Sequence, residues 1–148
     1  MAHMQQQILD AVVAALIAAA TDAGNAVHLD RLDPLQPDEL PAILVEESPN
    51  GEVVTPATIS GVQQRDLMVL VTPVVSGVAD YGTRARHLGL QVETALANHD
   101  FSSLAQGGWQ IDSTRPLFDG DGKEAKAGRQ QTWRFTYFVR QESPDQPA

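Results

Sequence analysis

The stretch RLDPLQPDELPAILVEE, residues 31–47, combines three prolines, five acids and one short apolar run. Proline fixes its own φ angle and keeps the preceding residue out of the α region, so no helix is expected before Pro41. The apolar run Ala42-Ile43-Leu44-Val45 follows that proline directly, a pattern typical of a strand buried on both faces. We therefore expect residues 31–41 to be an exposed crossing that leads into a buried strand at 42–46.

Hydrophobic periodicity along the rest of the chain predicts two helices and four more strands. The first helix carries apolar residues at helical spacing with alanines between them, which favour the helix. The last strand alternates cleanly, with Trp133, Phe135 and Tyr137 on one side and mostly polar residues on the other. Helices are predicted at residues 5–21 and 81–98, and strands at residues 26–29, 63–72, 109–114 and 130–140.

The order of these elements, α-β-β-β-α-β-β, predicts an α+β fold. We expect a mainly antiparallel or mixed sheet of about five strands with two helices packed on one face. The polar segment at 48–60 contains Asn50-Gly51, a turn signal, and is predicted to be a protruding loop or hairpin. Residues 1–3 are interpreted as an expression scar, 4–141 as a single domain and 142–148 as a disordered tail.

The composition is that of an ordinary globular protein. The chain has 148 residues, 43% of them hydrophobic, which suits one domain with a real core. It carries 19 acids and 10 bases, a net charge of −9, whereas a free-standing nucleic-acid binder needs Lys and Arg for phosphate contacts. The absence of cysteine excludes disulfides and thiol chemistry and fits a cytosolic protein. The apolar run ILDAVVAALIAAA is too short to span a bilayer, so no membrane association is expected.

Two patterns that suggest ligand chemistry are better explained by structure. The sequence DGDGKE at 119–124 resembles the start of a calcium-binding loop, but Lys123 occupies the third ligand position, so a glycine-rich hairpin tip is expected. The four histidines lack metal-ligand spacing; they are His3, His28, His87 and His99. The sequence also lacks a phosphate-binding loop, a dinucleotide motif and a serine nucleophile motif, so no cofactor, metal or catalytic residue is predicted.

The acids Asp30, Asp33, Asp38 and Glu39 leave one enzymatic alternative open. Two carboxylates held in a cleft can perform acid–base hydrolysis, with or without a metal. Here the acids lie in a proline-rich crossing, which favours solvated side chains over a catalytic pair. A small metal-dependent hydrolase that uses these acids is the distant alternative.

Three features carry a resemblance to a known family. They are the acid-Leu-Pro-Ala-hydrophobic sequence at 39–45, the helix end TALANH at 94–99, and two terminal strands that close in WRFTY at 133–137. With the order of elements over residues 4–141, they resemble the tail terminator proteins of long-tailed phages (siphophages) and prophages. That group includes the minor tail protein U of lambda-like phages.

The resemblance implies a structural protein of the virion and no enzyme. Such proteins assemble, usually as a hexameric ring, on the head-proximal end of a finished tail tube. They stop tube polymerisation and offer a surface for joining the head. The implied partners are copies of the chain itself, the tail tube protein and the head–tail connector proteins, with no nucleic-acid contact required. The implied location is the virion tail, after assembly in the host cytoplasm. Another neck or head-completion protein of the virion is the close alternative.

Candidate partner contacts follow from polar loops and from one helix end. Arg84 and Arg86 lie at the start of the second helix, where cations oppose the helix dipole; chance explains this, or an acidic partner does. The loops at 48–60 and 119–128 are polar and contribute nothing to a core, so they can order on contact with a partner. The candidate contact residues are Asn50, Glu52, Arg84, Arg86, Asp119, Asp121 and Lys123.

Overall fold

The structure is a computed structural model that describes residues 2–56, 61–120 and 125–148. Its two α-helices are α1 (Met4–Ala18) and α2 (Tyr81–Asn98). The strands are β1 (Val27–Leu29), β2 (Ala42–Pro56), β3 (Val62–Ser76), β4 (Gly108–Asp119), β5 (Lys126–Arg140) and β6 (Ser143–Pro147). A short 3₁₀ turn occupies Pro37–Glu39.

One mixed sheet of six strands organises the described residues. Its order is β1-β2-β3-β5-β4, and β6 pairs with β5 beyond the end of β4. β1 runs parallel to β2, whereas the other pairs are antiparallel. The predicted α+β fold class is confirmed, with one strand more than the five expected.

Both helices contribute to one hydrophobic core on one face of the sheet. The fully buried side chains Val12 and Leu16 of α1 and Val92 of α2 belong to this core. Phe135 and Tyr137 of β5 meet them, on the apolar side that the alternation in this strand predicts. Fully burying an apolar side chain of this size stabilises the fold by roughly 1.5–3 kcal/mol, and most of the buried apolar residues lie on this face.

The proline-rich crossing lies against the opposite face of the sheet. Leu35 is 5% exposed and packs with Ala42 and Val74 in a second, smaller cluster. Arg31 and Glu39 form a salt bridge that holds the two ends of the crossing together. The crossing is solvated as predicted, and the buried Leu35 anchors it to the sheet, with Leu40 packed against the same cluster.

The segment at 48–60, predicted to be a protruding loop or hairpin with a turn at Asn50-Gly51, belongs to the β2–β3 hairpin as far as Pro56, but the chain continues as strand past that dipeptide. β2 continues to Pro56, and residues 48–51 lie opposite a single residue of β3, Met68. Gly51 has a φ of 73°, which glycine tolerates without steric cost, so the dipeptide forms a bulge within the β2–β3 hairpin. Residues 57–60 lie outside the described residues.

β3 also runs further than the sequence predicts, because Pro73 does not end it. The strand continues to Ser76 although it is central in the sheet. Its pairing with β5 skips the proline, going from Val71 opposite Gln131 to Val74 opposite Gly128. A Cβ on Gly128 would lie 2.8 Å from the Pro73 carbonyl oxygen, so the glycine permits a close approach of the two backbones.

The tail at 142–148 was predicted to be disordered, but Ser143–Pro147 form β6. β4 pairs with β5 only as far as Gly108 opposite Thr136, so the last residues of β5 present an open edge. β6 pairs with Val139 and Arg140 there, and the Gln7 amide of α1 donates to the Asp145 carbonyl oxygen at 2.9 Å. In the described residues, neither helix has the length and apolar character needed to span a membrane.

Candidate interaction surfaces

Glu52, predicted to be an exposed partner contact, has its side chain turned into the protein. The Tyr137 hydroxyl donates to its Oε1, while Gln5 Nε2 and Arg65 Nη1 donate to its Oε2 at 2.7 and 3.2 Å. The carboxylate side chain is only 6% exposed. Burial, followed by the hydrogen bond to this carboxylate, raises the pKa of the Tyr137 hydroxyl, which therefore stays a donor at neutral pH.

This carboxylate joins three elements at one point. Gln5 belongs to α1, Arg65 to β3 and Tyr137 to β5, while Glu52 itself directly follows the bulge in β2. The bulge shifts the register so that Glu52 lies opposite Leu67 of β3, a fully buried core residue. Glu52 thus connects the β2–β3 hairpin to the core, which leaves it little surface for a partner. Asn50, within the bulge, is exposed.

The two arginines at the start of α2 differ in their surroundings. Arg84 Nη2 donates to the carbonyl oxygens of Ser76 and Ala79 at 2.9 and 3.3 Å, so it ties the helix to the end of β3. These hydrogen bonds explain why a cation lies at the helix N-terminus, so no partner protein is needed to account for Arg84. Asp80 occupies the N-cap position of α2 with a φ of 64° but makes no capping bond through its side chain. Arg86 is exposed and remains a candidate contact.

The β4–β5 hairpin holds the remaining candidates. Asp119 is the last residue of β4, is exposed and lies opposite Lys126 of β5. Asp121 and Lys123 lie outside the described residues. Phe118, 57% exposed, stacks on Tyr81 of α2 with ring centroids 4.9 Å apart, so an aromatic surface adjoins the hairpin.

The four acids of the crossing do not converge. Glu39 accepts from Arg31 at 2.5 and 2.7 Å, and this bond, with a backbone bond from Gln36, lowers the pKa of Glu39 to about 2. Asp33 and Asp38 are exposed, and Asp30 follows β1 with a φ of 52°. Within residues 2–56, 61–120 and 125–148, no three His, Asp or Glu side chains come close enough to hold a metal ion.

Charge is distributed unequally across the sheet, a feature that the sequence analysis did not use. We call residues 27–56, which hold β1, the crossing and β2, the acidic edge; they contain seven acids and one arginine. We call β4 and β5 the basic edge; their described residues contain five bases and two acids. β1 and β4 are the two ends of the strand order, so these charges lie on opposite sides of the sheet. The unequal distribution of acids and bases is visible in the sequence, but only the strand order shows on which side of the sheet each group lies.

The two long hairpins end at opposite ends of the sheet. Val62, at the β2–β3 hairpin end, lies opposite Arg140, whereas Ser76 lies opposite Lys126 at the start of β5. The β2–β3 hairpin exposes Val53 and Val54 near its end, with exposed fractions of 58% and 43%. The β4–β5 hairpin instead exposes Leu117 and Phe118. The molecule therefore presents two chemically different ends.

A groove on the face opposite the helices connects the crossing with the β4–β5 hairpin. Its volume is about 490 Å³, and its walls come from Pro34 and Leu35 on one side and Leu117 on the other. Its floor includes Thr72 and Val74 of β3. Leu32, at its rim, is 97% exposed.

Comparison with known proteins gives similarity in structure but not in sequence. Neither a protein-family model nor a curated protein matches the chain. Among solved structures, the chain is similar to one described as "Virion of native gene transfer agent (GTA) particle". The two are 18% identical, the TM-score is 0.42, and the match covers 90% of each chain. That neighbour is part of a virion particle.

Proposed function

We propose that this protein is a structural component of a phage or prophage virion, and specifically a tail terminator. In this role it caps the head-proximal end of the tail tube as a ring, stops tube polymerisation and provides the surface that joins the head. The sequence resemblance over residues 4–141 motivates the proposal. Another neck or head-completion protein is the alternative within the same particle.

The observation that carries the proposal is the pair of hairpins at opposite ends of one rigid sheet. A capping ring has to bind two different structures, the tube on one side and the head connector on the other. A protomer with two unlike ends meets this need, because each ring face then repeats one kind of end. The extensive β3–β5 pairing, from Val62 opposite Arg140 to Ser76 opposite Lys126, holds the two ends at a fixed separation.

The test is removal of the gene from the phage or prophage that carries it, followed by electron microscopy of the particles. We expect tails that are overlong or fail to join heads, and rescue when the full-length chain is supplied in trans. Tails of normal length that join heads without this protein would contradict the proposal.

Immunogold labelling separates the two virion roles. Label at the head-proximal end of the tube in complete tails that lack heads supports the terminator. Label on isolated heads that lack tails identifies a head-completion protein and contradicts the terminator role.

A further inference from the structure

In the described residues, both edges of the sheet combine ion pairs with charges that no ion pair neutralises. On the basic edge, Arg134 Nη2 lies 3.6 Å from Asp112 Oδ1. On the same edge, Arg115 Nε donates to the neutral amide of Gln130 and Arg129 Nη2 to the neutral hydroxyl of Thr114. These contacts orient the guanidinium groups but leave their charge uncompensated. Arg115 is exposed.

The acidic edge likewise has paired and unpaired charges. Glu39 and Glu52 are neutralised by Arg31 and Arg65. Asp33, Asp38 and Glu46 are exposed instead, so the outward charge of this edge is negative. The two edges of one protomer are thus complementary to each other in sign.

We propose that the acidic edge of one copy docks against the basic edge of a second copy. The edges lie on opposite sides of the sheet, so each copy can use both at once. This contact is heterologous, joining unlike patches, and a repeated heterologous contact closes into a ring when its rotation permits. The biological role of this contact rests on the proposed ring function, but the contact itself is a property of the isolated chain.

Single charge reversals with matched controls test the contact. Arg115→Glu reverses a charge on the basic edge, and Ala14→Glu with Ala97→Glu makes the same change in net charge on the two helices. Asp38→Lys reverses a charge on the acidic edge, and Asp10→Lys is its counterpart on α1. All five residues are exposed, so the variants should fold, which circular dichroism checks. The combined variant Arg115→Glu/Asp38→Lys restores the net charge of −9.

Self-association is measured by sedimentation velocity over a concentration series up to about 1 mM. We expect each edge reversal to raise the dissociation constant about tenfold and each control to change it less than about threefold, because like charges then meet across the contact. The combined variant should return to near the original value, since its edges are again opposite in sign. Raising the salt from about 0.1 M to about 1 M should weaken association, as the Debye length falls from about 10 to about 3 Å.

Three results overturn the inference. They are absence of self-association over the whole series, equal effects of the edge reversals and the control variants, and a combined variant that associates no better than the single reversals. Each leaves the proposed function standing, since a terminator can use other surfaces for its ring. Normal tails without the gene would instead contradict the function and leave the contact intact.

Discussion

At the scale of single residues, the Glu52 carboxylate is a nearly buried acid with hydrogen-bond donors that are remote in sequence. It accepts from Gln5, Arg65 and Tyr137, which come from three different elements. A buried carboxylate with this many donors is stable only while the donors remain, and the donors are left unsatisfied if it is removed.

We expect Glu52→Ala to lower the free energy of unfolding by about 2–3 kcal/mol, because it leaves the buried Tyr137 hydroxyl and the Arg65 guanidinium without their acceptor. Tyr137→Phe, which removes one donor and leaves the carboxylate its other two, should cost about 1 kcal/mol. Glu46→Ala, at an exposed position of the same strand, is the control and should change stability by less than about 0.5 kcal/mol. Urea unfolding measures all three. Equal effects of Glu52→Ala and Glu46→Ala would show that the network does not stabilise the fold.

Glu39 gives a prediction about pH at the same scale. Its pKa is lowered from 4.5 to about 2, chiefly by the hydrogen bond from Arg31. A carboxyl group whose pKa is lowered by folding stabilises the fold at pH values above its unfolded-state pKa. This stabilisation is lost as the pH falls toward the folded-state pKa. The contribution of the pair is therefore present at neutral pH and disappears between pH 4.5 and about 2.

In a thermal unfolding series, Glu39→Gln should lower the melting temperature at neutral pH and should match the original chain near pH 2. Asp38→Asn, at an exposed neighbouring acid, is the control and should show no such convergence. A Glu39→Gln difference that stays constant across the whole pH range would contradict the assignment.

At the scale of elements, the approach of β3 and β5 depends on one glycine. Gly128 faces the Pro73 carbonyl oxygen, which a Cβ would approach to 2.8 Å. Backbone atoms cannot move aside as the end of a side chain can, so the strands would have to separate.

Gly128→Ala should lower the free energy of unfolding by about 1–3 kcal/mol through this overpacking. Gly82→Ala in α2 is the contrasting variant, because its Cβ would meet only the end of the Arg86 side chain, at 3.4 Å. It should be neutral or stabilise by up to about 1 kcal/mol, since alanine favours helix over glycine. Chemical denaturation of the two variants tests this; a Gly128→Ala protein as stable as Gly82→Ala would mean that the strands are further apart than described.

At the scale of the whole molecule, the opposite hairpins predict separable defects in assembly. Val53→Ser with Val54→Ser alters the apolar surface of the β2–β3 hairpin, and Leu117→Ser with Phe118→Ser alters that of the β4–β5 hairpin. If one end binds the tube and the other the head connector, one pair of substitutions should yield overlong tails and the other tails of normal length without heads. Electron microscopy of particles from a complemented deletion strain measures both tail length and the fraction of tails that carry heads. The same defect from both pairs would contradict a division of roles between the ends.

Much of the fold could be predicted from local patterns. The bounds of α2 agree with the prediction, and the alternation in β5 correctly separates buried from partly exposed residues. These features depend on the periodicity of apolar residues, which the sequence shows directly. The bulge at Gly51, the continuation of β3 through Pro73 and the pairing of β6 were missed, because each depends on the backbone of a neighbouring strand.

The candidate contacts divide in the same way. Asn50 and Arg86 are exposed, as the polarity of their local sequence predicts. Glu52 looked like a loop acid because its three donors are remote in sequence, the nearest being 13 residues away. A count of charges in the sequence gives the amount of acid and base but not the side of the sheet on which they lie.

The amino-acid sequence by itself determined the α+β class, the two helices and the buried strands, since these follow from the spacing of apolar residues along the chain. Only the tertiary structure decided that Glu52 is a buried connection, that the hairpins end at opposite ends and that acid and base lie on opposite edges. Those properties arise from strand order and register. Both determine which residues lie close together in space, and the spacing of residues along the chain does not.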